Sequence, residues 1–373
     1  MDLDSIVKSI ELVVGRFGGR ITYSYREEFG DPEPGPPVED AGLDPRLVET
    51  LKSSGIYRFF RFQFEALKSI GSGRDTVIVS GTGTGKTEAF LAPIVDSILK
   101  SRGPGPGAVL VYPTKALARD QVSRMRLLSQ PGLGVRIAVL DGDTPAAERA
   151  RIYSDPPDIL VTNPDMVHYS LAYHDKLRRL LSNARFIVFD ELHSYNGVFG
   201  SHVRWVIQRM LRYAGDAILV GSGATIGNPE DLGEKLFGRK PEVIEGPRRR
   251  RGVAVHCFVD SGHASRWSLS AALIAALASN GLKVLAFTDS QQMAELVTRI
   301  ALKNYNVKAA VHRAGLKAEY RKSVEEAFKR GSLRALVATP TMELGVDIGD
   351  LDAIVLTGLP KSYSSYIQRA GRA

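Results

Sequence analysis

Short runs of consecutive apolar residues, rich in β-branched side chains, recur along this chain with amphipathic stretches between them. Between residues 46 and 245 the runs fall at 75–80, 107–112, 136–140, 158–162, 184–189 and 216–221. Runs this short, apolar at successive positions, predict strands buried on both faces, and the periodic segments between them predict helices. Regular alternation of the two predicts a parallel sheet wrapped by helices. Gly246-Pro-Arg-Arg-Arg-Arg-Gly252 breaks the pattern, which resumes at 253–259, 283–288, 307–312, 335–339 and 353–357. Two tandem α/β domains are therefore expected, 46–246 and 253–373. The four arginines between them suit either a solvated linker or a contact to a nucleic-acid backbone. Residues 1–45 hold two short alternating apolar segments and then Asp31-Pro-Glu-Pro-Gly-Pro-Pro37, which must be loop. They are expected to form an N-terminal accessory segment.

Composition narrows the class. The chain has 373 residues, 44% hydrophobic and 24% charged, as in ordinary globular proteins. No apolar run approaches the ~18 residues a membrane span needs. Asp2, Asp4 and Lys8 interrupt the apolar residues of the N-terminus, which does not read as a signal peptide. Cys257 is the only cysteine, which excludes a disulfide framework or a Cys-rich zinc site within these residues. A cytoplasmic location is expected. The net charge of +8 permits a polyanionic partner without requiring one.

Two motifs carry chemistry. Ser80-Gly-Thr-Gly-Thr-Gly-Lys-Thr87 follows the strand run Thr76–Val79 and opens a helical segment. Strand, glycine-rich turn and helix form the setting of a phosphate-gripping loop, because small residues let successive N–H groups close on the phosphates. Thr82, Gly83, Thr84 and Gly85 are the expected cradle, with Glu88 beside it. Lys86 would set a cation against the β and γ oxygens, and Thr87 would offer a hydroxyl to Mg2+. Ser80 replaces the usual first glycine. Further on, the run Phe186–Phe189 ends in Asp190-Glu191-Leu192-His193. A carboxylate at a strand tip beside such a loop can hold Mg2+, and its neighbour can orient and deprotonate a water. Asp190 is the candidate metal ligand and Glu191 the candidate base. ATP and Mg2+ are thus the expected cofactors.

Six further segments, in order, carry a resemblance: PTKALA (113–118), TNPD (162–165), GAT (223–225), HRAGL (312–316), ATPTMELGVDIG (338–349) and QRAGR (368–372). With the two motifs above they resemble the core of the superfamily 2 DEAD/DEAH-box (DEXH) helicases over about 310 residues. LDGDTP (140–145) and DELHSYNGVFGSHV (190–203) are most similar to the MrfA-like and Lhr-like groups of DNA helicases. The resemblance implies two RecA-like domains with a short N-terminal extension, 3′-to-5′ movement on single-stranded or forked DNA, and a role in DNA repair. It also implies a cysteine-rich zinc domain after the core, which these residues lack. Gln63 matches the glutamine that reads the adenine edge, with Phe60 or Tyr57 as stacking partner. Gly345 and Asp347 match a motif facing the ribose and γ-phosphate, and Arg369 and Arg372 match the arginine finger. A fixed guanidinium fork suits charge developing on a transferred phosphoryl group, and supplying it from the second domain would make hydrolysis depend on closure. Pro113, Thr114, Lys115, Asp141, Gly142, Thr162 and Asn163 match strand-binding positions of the first domain. Thr288, Ser290, His312, Arg313 and Thr339 match those of the second.

Three departures bear on activity. The usual Ser-Ala-Thr reads Gly223-Ala224-Thr225, with Ser222 one position early, so coupling of hydrolysis to unwinding is expected to weaken unless Ser222 or a water substitutes. The chain ends at Arg372-Ala373, inside the pattern QRxGRxGR, so low ATPase activity is expected of it alone. Only 18 residues separate Gly349 from Gln368, too few for a long strand-separating hairpin. An RNA helicase of the same superfamily, or an ATP-gated clamp that does not unwind, are the alternatives.

Overall fold

The computed structural model describes residues 2–81, 83–125, 132–173, 175–224, 226–248, 252–313, 315–340 and 349–372. The chain divides into two units, one of residues 30–251 and one of residues 1–29 with 252–373.

The larger unit is built on seven strands. In chain order the strands of the whole molecule begin with β1 (Arg20–Phe29), β2 (Pro34–Pro37) and β3 (Arg58–Phe60). Next come β4 (Thr76–Val79), β5 (Ala108–Val111), β6 (Ile137–Val139), β7 (Ile159–Thr162), β8 (Phe186–Phe189), β9 (Ile218–Gly223) and β10 (Glu242–Glu245). These seven form one sheet in the order β10-β4-β9-β8-β5-β7-β6, and every pairing is parallel. β2 and β3 pair as a small antiparallel ladder of their own, so Pro34–Pro37, expected to be loop, forms a short strand. Side chains alternate across a strand, so each strand feeds two cores. Ile78, Leu110, Val161 and Val188 enter one core, with helices Arg61–Gly71 and Lys86–Lys100 over it. Val77, Val109, Leu160 and Ile187 enter the other, under helices Pro164–Tyr173 and Gly197–Ala214. Burial on both faces explains why these strands read as continuous apolar runs. β10, at the sheet edge, has only two consecutive apolar residues between Glu242 and Glu245, and the apolar-run pattern passes over it.

The second unit has a parallel sheet of four strands, β12 (Val284–Phe287), β13 (Ala309–His312), β14 (Ala335–Ala338) and β15 (Ala353–Leu356), in the order β13-β14-β12-β15. Val284 and Val337 lie in the core on one face, and Leu285 and Leu336 in the core on the other. One correction concerns residues 1–45, which are not a separate piece. Helix Leu3–Arg16, capped by Asp2 through the Ser5 N–H at 2.7 Å, lays Ile6 and Ile10 against the core beside helix Arg266–Ser279. β1 then pairs antiparallel with β11 (Gly252–Asp260), from Arg20 opposite Asp260 to Phe29 opposite Gly252. Residues 30–45 belong to the other unit, where Val38 and Leu43 join the core. The short alternating segments of the N-terminus thus find their partners more than 200 residues away. Among the described residues no helix is long and apolar enough to cross a membrane.

Candidate nucleotide and nucleic-acid site

In an open parallel sheet, ligands bind at the carboxyl ends of the strands. β4, β9 and β8 are neighbours, and their ends carry the phosphate loop, Ser222 and Asp190 respectively. Sequence features as far apart as Ser80 and Ser222 therefore meet at one edge.

The phosphate loop turns through Gly83 and Gly85, whose φ angles of 72° and 95° favour glycine, into helix Lys86–Lys100. Lys86 Nζ donates to the carbonyls of Ser80 (2.6 Å) and Gly81 (2.7 Å). Ser80 is more than a tolerated replacement. Its hydroxyl bonds with Thr84 Oγ1 at 2.6 Å and reaches the Pro247 carbonyl at 3.0 Å. Gly81 N–H donates to the same carbonyl at 2.8 Å, and Gly246 N–H donates to Val79 at 2.7 Å. The segment Gly246–Arg248 thus crosses the shoulder of the loop. A Cβ on Gly81 would collide with the Arg248 carbonyl, so glycine is required there. Glu88 lies in the first turn of the helix, with a carboxylate oxygen near Gly85.

Gln63 is buried with both ends of its amide engaged. Phe60 N–H donates to its Oε1 (2.9 Å), and its Nε2 donates to the Gly85 carbonyl (2.9 Å). This glutamine braces the phosphate loop from helix Arg61–Gly71. Phe60 is half-buried beside Phe62, and Tyr57 is exposed.

Asp190 is almost fully buried at the tip of β8. Its carboxylate accepts from Ser222 Oγ and from Glu191 N–H at 2.8 Å. Burial first, and then the neighbouring Glu191 charge, push its pKa up to about 6. Glu191 has φ of 54°, left-handed backbone that costs a non-glycine residue roughly 1 kcal/mol or more. Strain of this kind is held where surrounding structure over-determines it, and here it turns the carboxylate toward His193, with Nδ1 3.4 Å away. The Ser222 hydroxyl, displaced by one position in sequence, reaches the acidic motif from β9. A Cβ on Gly223 would instead press on Ile226.

The donor set suits Mg2+. Asp190 and Thr87 offer hard oxygens, and Mg2+ takes one or two protein oxygens plus water and substrate phosphates. A buried carboxylate whose pKa is raised by burial and a like charge is one that a cation would relieve. Among the described residues no group of three or more His, Cys, Asp or Glu forms a metal cluster, so zinc has no such place among them.

The expected strand-binding residues all stand at the carboxyl ends of strands, but many of their side chains turn inward. Asp141 is fully buried and clamped by Arg119 through two bonds of 2.9 Å, which also holds its pKa down against burial. Thr162 Oγ1 bonds the Leu140 carbonyl (2.7 Å), and Asn163 caps helix Pro164–Tyr173 at Met166 N–H. Thr114 caps helix Lys115–Arg124, and Gly142 packs beneath Lys115, which pairs with Asp143 at 2.9 Å. Pro113 precedes this cap. In the second unit Thr288 bonds the Ser290 carbonyl (3.1 Å), while Ser290 caps helix Gln291–Tyr305. His312 meets Glu325 at 2.7 Å, Arg313 bonds Glu295 and Gln291, and Thr339 is buried at the end of β14. What these edges offer a polyanion is therefore mainly capped helix N-termini and backbone N–H groups. Arg119 and Pro247 were not singled out by motif matching, because each acts through a partner distant in sequence.

Arg369 is buried on helix Tyr363–Ala370, its guanidinium over the Phe287 ring and 4.0 Å from Asp289. Arg372 follows the helix end. Tyr366 fixes that helix to the β1–β11 ribbon, its hydroxyl 2.5 Å from His256 Nδ1 and 3.3 Å from the Tyr25 hydroxyl. Thr82, Gly345 and Asp347 lie outside the described residues.

Comparison with known proteins agrees with this architecture. Residues 60–232 match the DEAD/DEAH box helicase family, and residues 268–373 match the helicase conserved C-terminal domain. The chain is 33% identical over 350 residues to the uncharacterized ATP-dependent helicase YprA of Bacillus subtilis, covering 89% of this chain and 46% of that protein. It superposes on the DUF1998 helicase MrfA bound to DNA with a TM-score of 0.88 and 28% identity, over 100% of this chain and 54% of MrfA. The helicase Lhr of Mycobacterium smegmatis bound to single-stranded DNA and AMP-PNP gives 0.72 at 25% identity, over 89% of this chain and 46% of that one. The chain thus spans about half the length of these relatives. With two RecA-like domains, the phosphate loop and the acidic pair in place, the chain belongs to the superfamily 2 DEAD/DEAH-box helicases, in the group that includes MrfA and Lhr.

Proposed function

We propose that this chain is the ATP-hydrolysing core of a nucleic-acid helicase or translocase that acts on DNA and moves 3′ to 5′ along a single strand. The observation that supports it most is the meeting of Lys86, Ser222, Asp190 and Glu191 at the ends of three adjacent strands. In this reading the loop amides and Lys86 hold the triphosphate, and Lys86 exchanges its carbonyl contacts for the phosphate oxygens. Thr87 and Asp190 would hold Mg2+, which would supply charge neutralisation on the phosphates. Glu191 orients the attacking water and takes its proton. Arg369 and Arg372 neutralise charge on the transferred phosphoryl group. The capped helix ends of both sheets grip phosphates without reading bases, which gives salt-sensitive binding indifferent to sequence.

The preference for DNA rests on the relatives, since MrfA and Lhr are seen with DNA. The test is steady-state ATP hydrolysis with no nucleic acid, with single-stranded DNA and with single-stranded RNA, using Glu191→Gln as the blank. Stimulation by DNA above RNA is expected. Equal stimulation by both would replace DNA with RNA or either strand as substrate. Rates equal to the blank in all three conditions would favour an ATP-gated clamp.

A further inference from the structure

Helices Pro164–Tyr173 and Gly197–Ala214 leave the same sheet edge, the first directly after Asn163 and the second shortly after the acidic motif. Their inner sides fill the core, but their outer sides carry large aromatic groups in water. Trp205 is 64% exposed, Tyr173 71% and Tyr169 55%. Isolated exposed apolar residues need no explanation, whereas a cluster of aromatic rings of this size does. Tyr169 and Tyr173 are close, with ring centroids 5.1 Å apart, and Trp205 stands on the neighbouring helix. His168 beside Tyr169 bonds Arg209 across the two helices at 2.7 Å, and Arg209 in turn bonds the Trp205 carbonyl one turn back.

The charge of this face is one-sided. Helix Gly197–Ala214 brings Arg209 and Arg212 and has no acidic residue, while its Arg204 turns away to the Lys235 carbonyl; helix Pro164–Tyr173 adds Asp165, and Asp175 beyond it pairs with Arg178. Planar rings among arginines form the surface that single-stranded nucleic acid uses, bases stacking on the rings and phosphates near the guanidinium groups. An apolar polypeptide would find no reason for the arginines, and an acidic one none for three exposed rings. We infer that this face is a second contact for single-stranded nucleic acid, taking up a strand that continues past the strand-end track, with Trp205, Tyr169 and Tyr173 stacking on bases and Arg209 and Arg212 near the backbone. The inference rests on the proposed function, since it extends the same strand.

Trp205 is one of two tryptophans, so Trp267→Phe leaves it as the sole reporter. In that background, fluorescence would be titrated with oligothymidylates of about 8 and about 25 nucleotides. Quenching of Trp205 by the long strand is expected, with little by the short one. Read by the anisotropy of end-labelled oligothymidylate, Trp205→Ala, or Tyr169→Ala with Tyr173→Ala, should weaken the long strand roughly tenfold and leave the short one unchanged, as fits loss of one or two base stacks. Basal ATP hydrolysis should not change, which reports that the variants fold. If both lengths bind while Trp205 stays silent and the variants bind as the parent does, the inference falls and the proposed function stands. If Trp205 responds only to protein concentration, the face is a polypeptide interface and the inference falls as well. If neither length binds the parent, both fall together.

Discussion

Asp190 sits where a carboxylate is least comfortable, buried and next to another carboxylate, and its pKa of about 6 reflects both. The protonated form predominates below that value, and only the ionised form can hold Mg2+. The affinity for Mg-ATP should therefore rise as pH increases through about 6 and then level, with release of a proton on binding below it. Calorimetry in two buffers of different ionisation enthalpy would show this, and Asp190→Asn should abolish the pH dependence along with most of the affinity. Ser222 is the other residue whose role is local and testable. Its hydroxyl donates to a buried charge, a bond whose loss costs about 1.5–3 kcal/mol. Ser222→Ala should lower nucleic-acid-stimulated ATP turnover by roughly tenfold or more. Gly223→Ser, which adds a side chain against Ile226, should give no gain in unwinding per ATP. Motif matching placed the serine one position early and could not say whether it reached the acid. The answer depended on strand register, Ile78 opposite Ser222 and Phe189 opposite Gly221 across β9, which no local pattern shows.

Among elements, the strands of both parallel sheets other than β10 were legible because each is short and largely apolar on successive residues. The same criterion is blind to β10, where Glu242 and Glu245 flank Val243 and Ile244 at a sheet edge. It also cannot pair β1, whose partner β11 lies more than 200 residues on. The capping side chains were legible as positions but not as contacts. Thr114, Asn163 and Ser290 were expected to touch a nucleic-acid strand, and their side chains cap helices that begin at the ends of strands. The helix of Arg369 has its own dependence on neighbours. Tyr25 stacks on His256 with centroids 4.4 Å apart, and both reach Tyr366, whose hydroxyl is kept protonated by burial and by Tyr25. Tyr366→Phe should loosen helix Tyr363–Ala370 by about 1 kcal/mol. Faster amide exchange over 363–372 would register this, together with a several-fold drop in kcat for ATP and little change in KM.

For the whole molecule, the division of the chain is the informative fact. A reading in consecutive blocks gives an accessory segment and two domains, whereas the fold returns residues 1–29 to the unit made by 252–373. Removal of residues 2–29 should therefore act at a distance in sequence. Amide protection should fall in β11 and in helix Arg266–Ser279, which lose a strand partner and the packing of Ile6 and Ile10. The sheet of residues 30–251 should keep its protection. Hydrogen exchange read by mass spectrometry distinguishes this from a general loss of stability.

The pairing of β1 with β11 also sets a timetable for biosynthesis. Roughly 220 residues separate the end of β1 from the start of its partner. At about 5–20 residues per second a ribosome needs roughly 10–45 s to bridge that interval. Throughout it, β1 is a ten-residue strand with both edges open, next to a helix whose apolar side has nothing to cover. Such a strand invites pairing with other nascent chains, and charged residues are the usual safeguard. Arg20, Arg26, Glu27 and Glu28 are placed along β1 as that safeguard would require. A strand made so far ahead of its partner must wait for it, and its charges protect the wait.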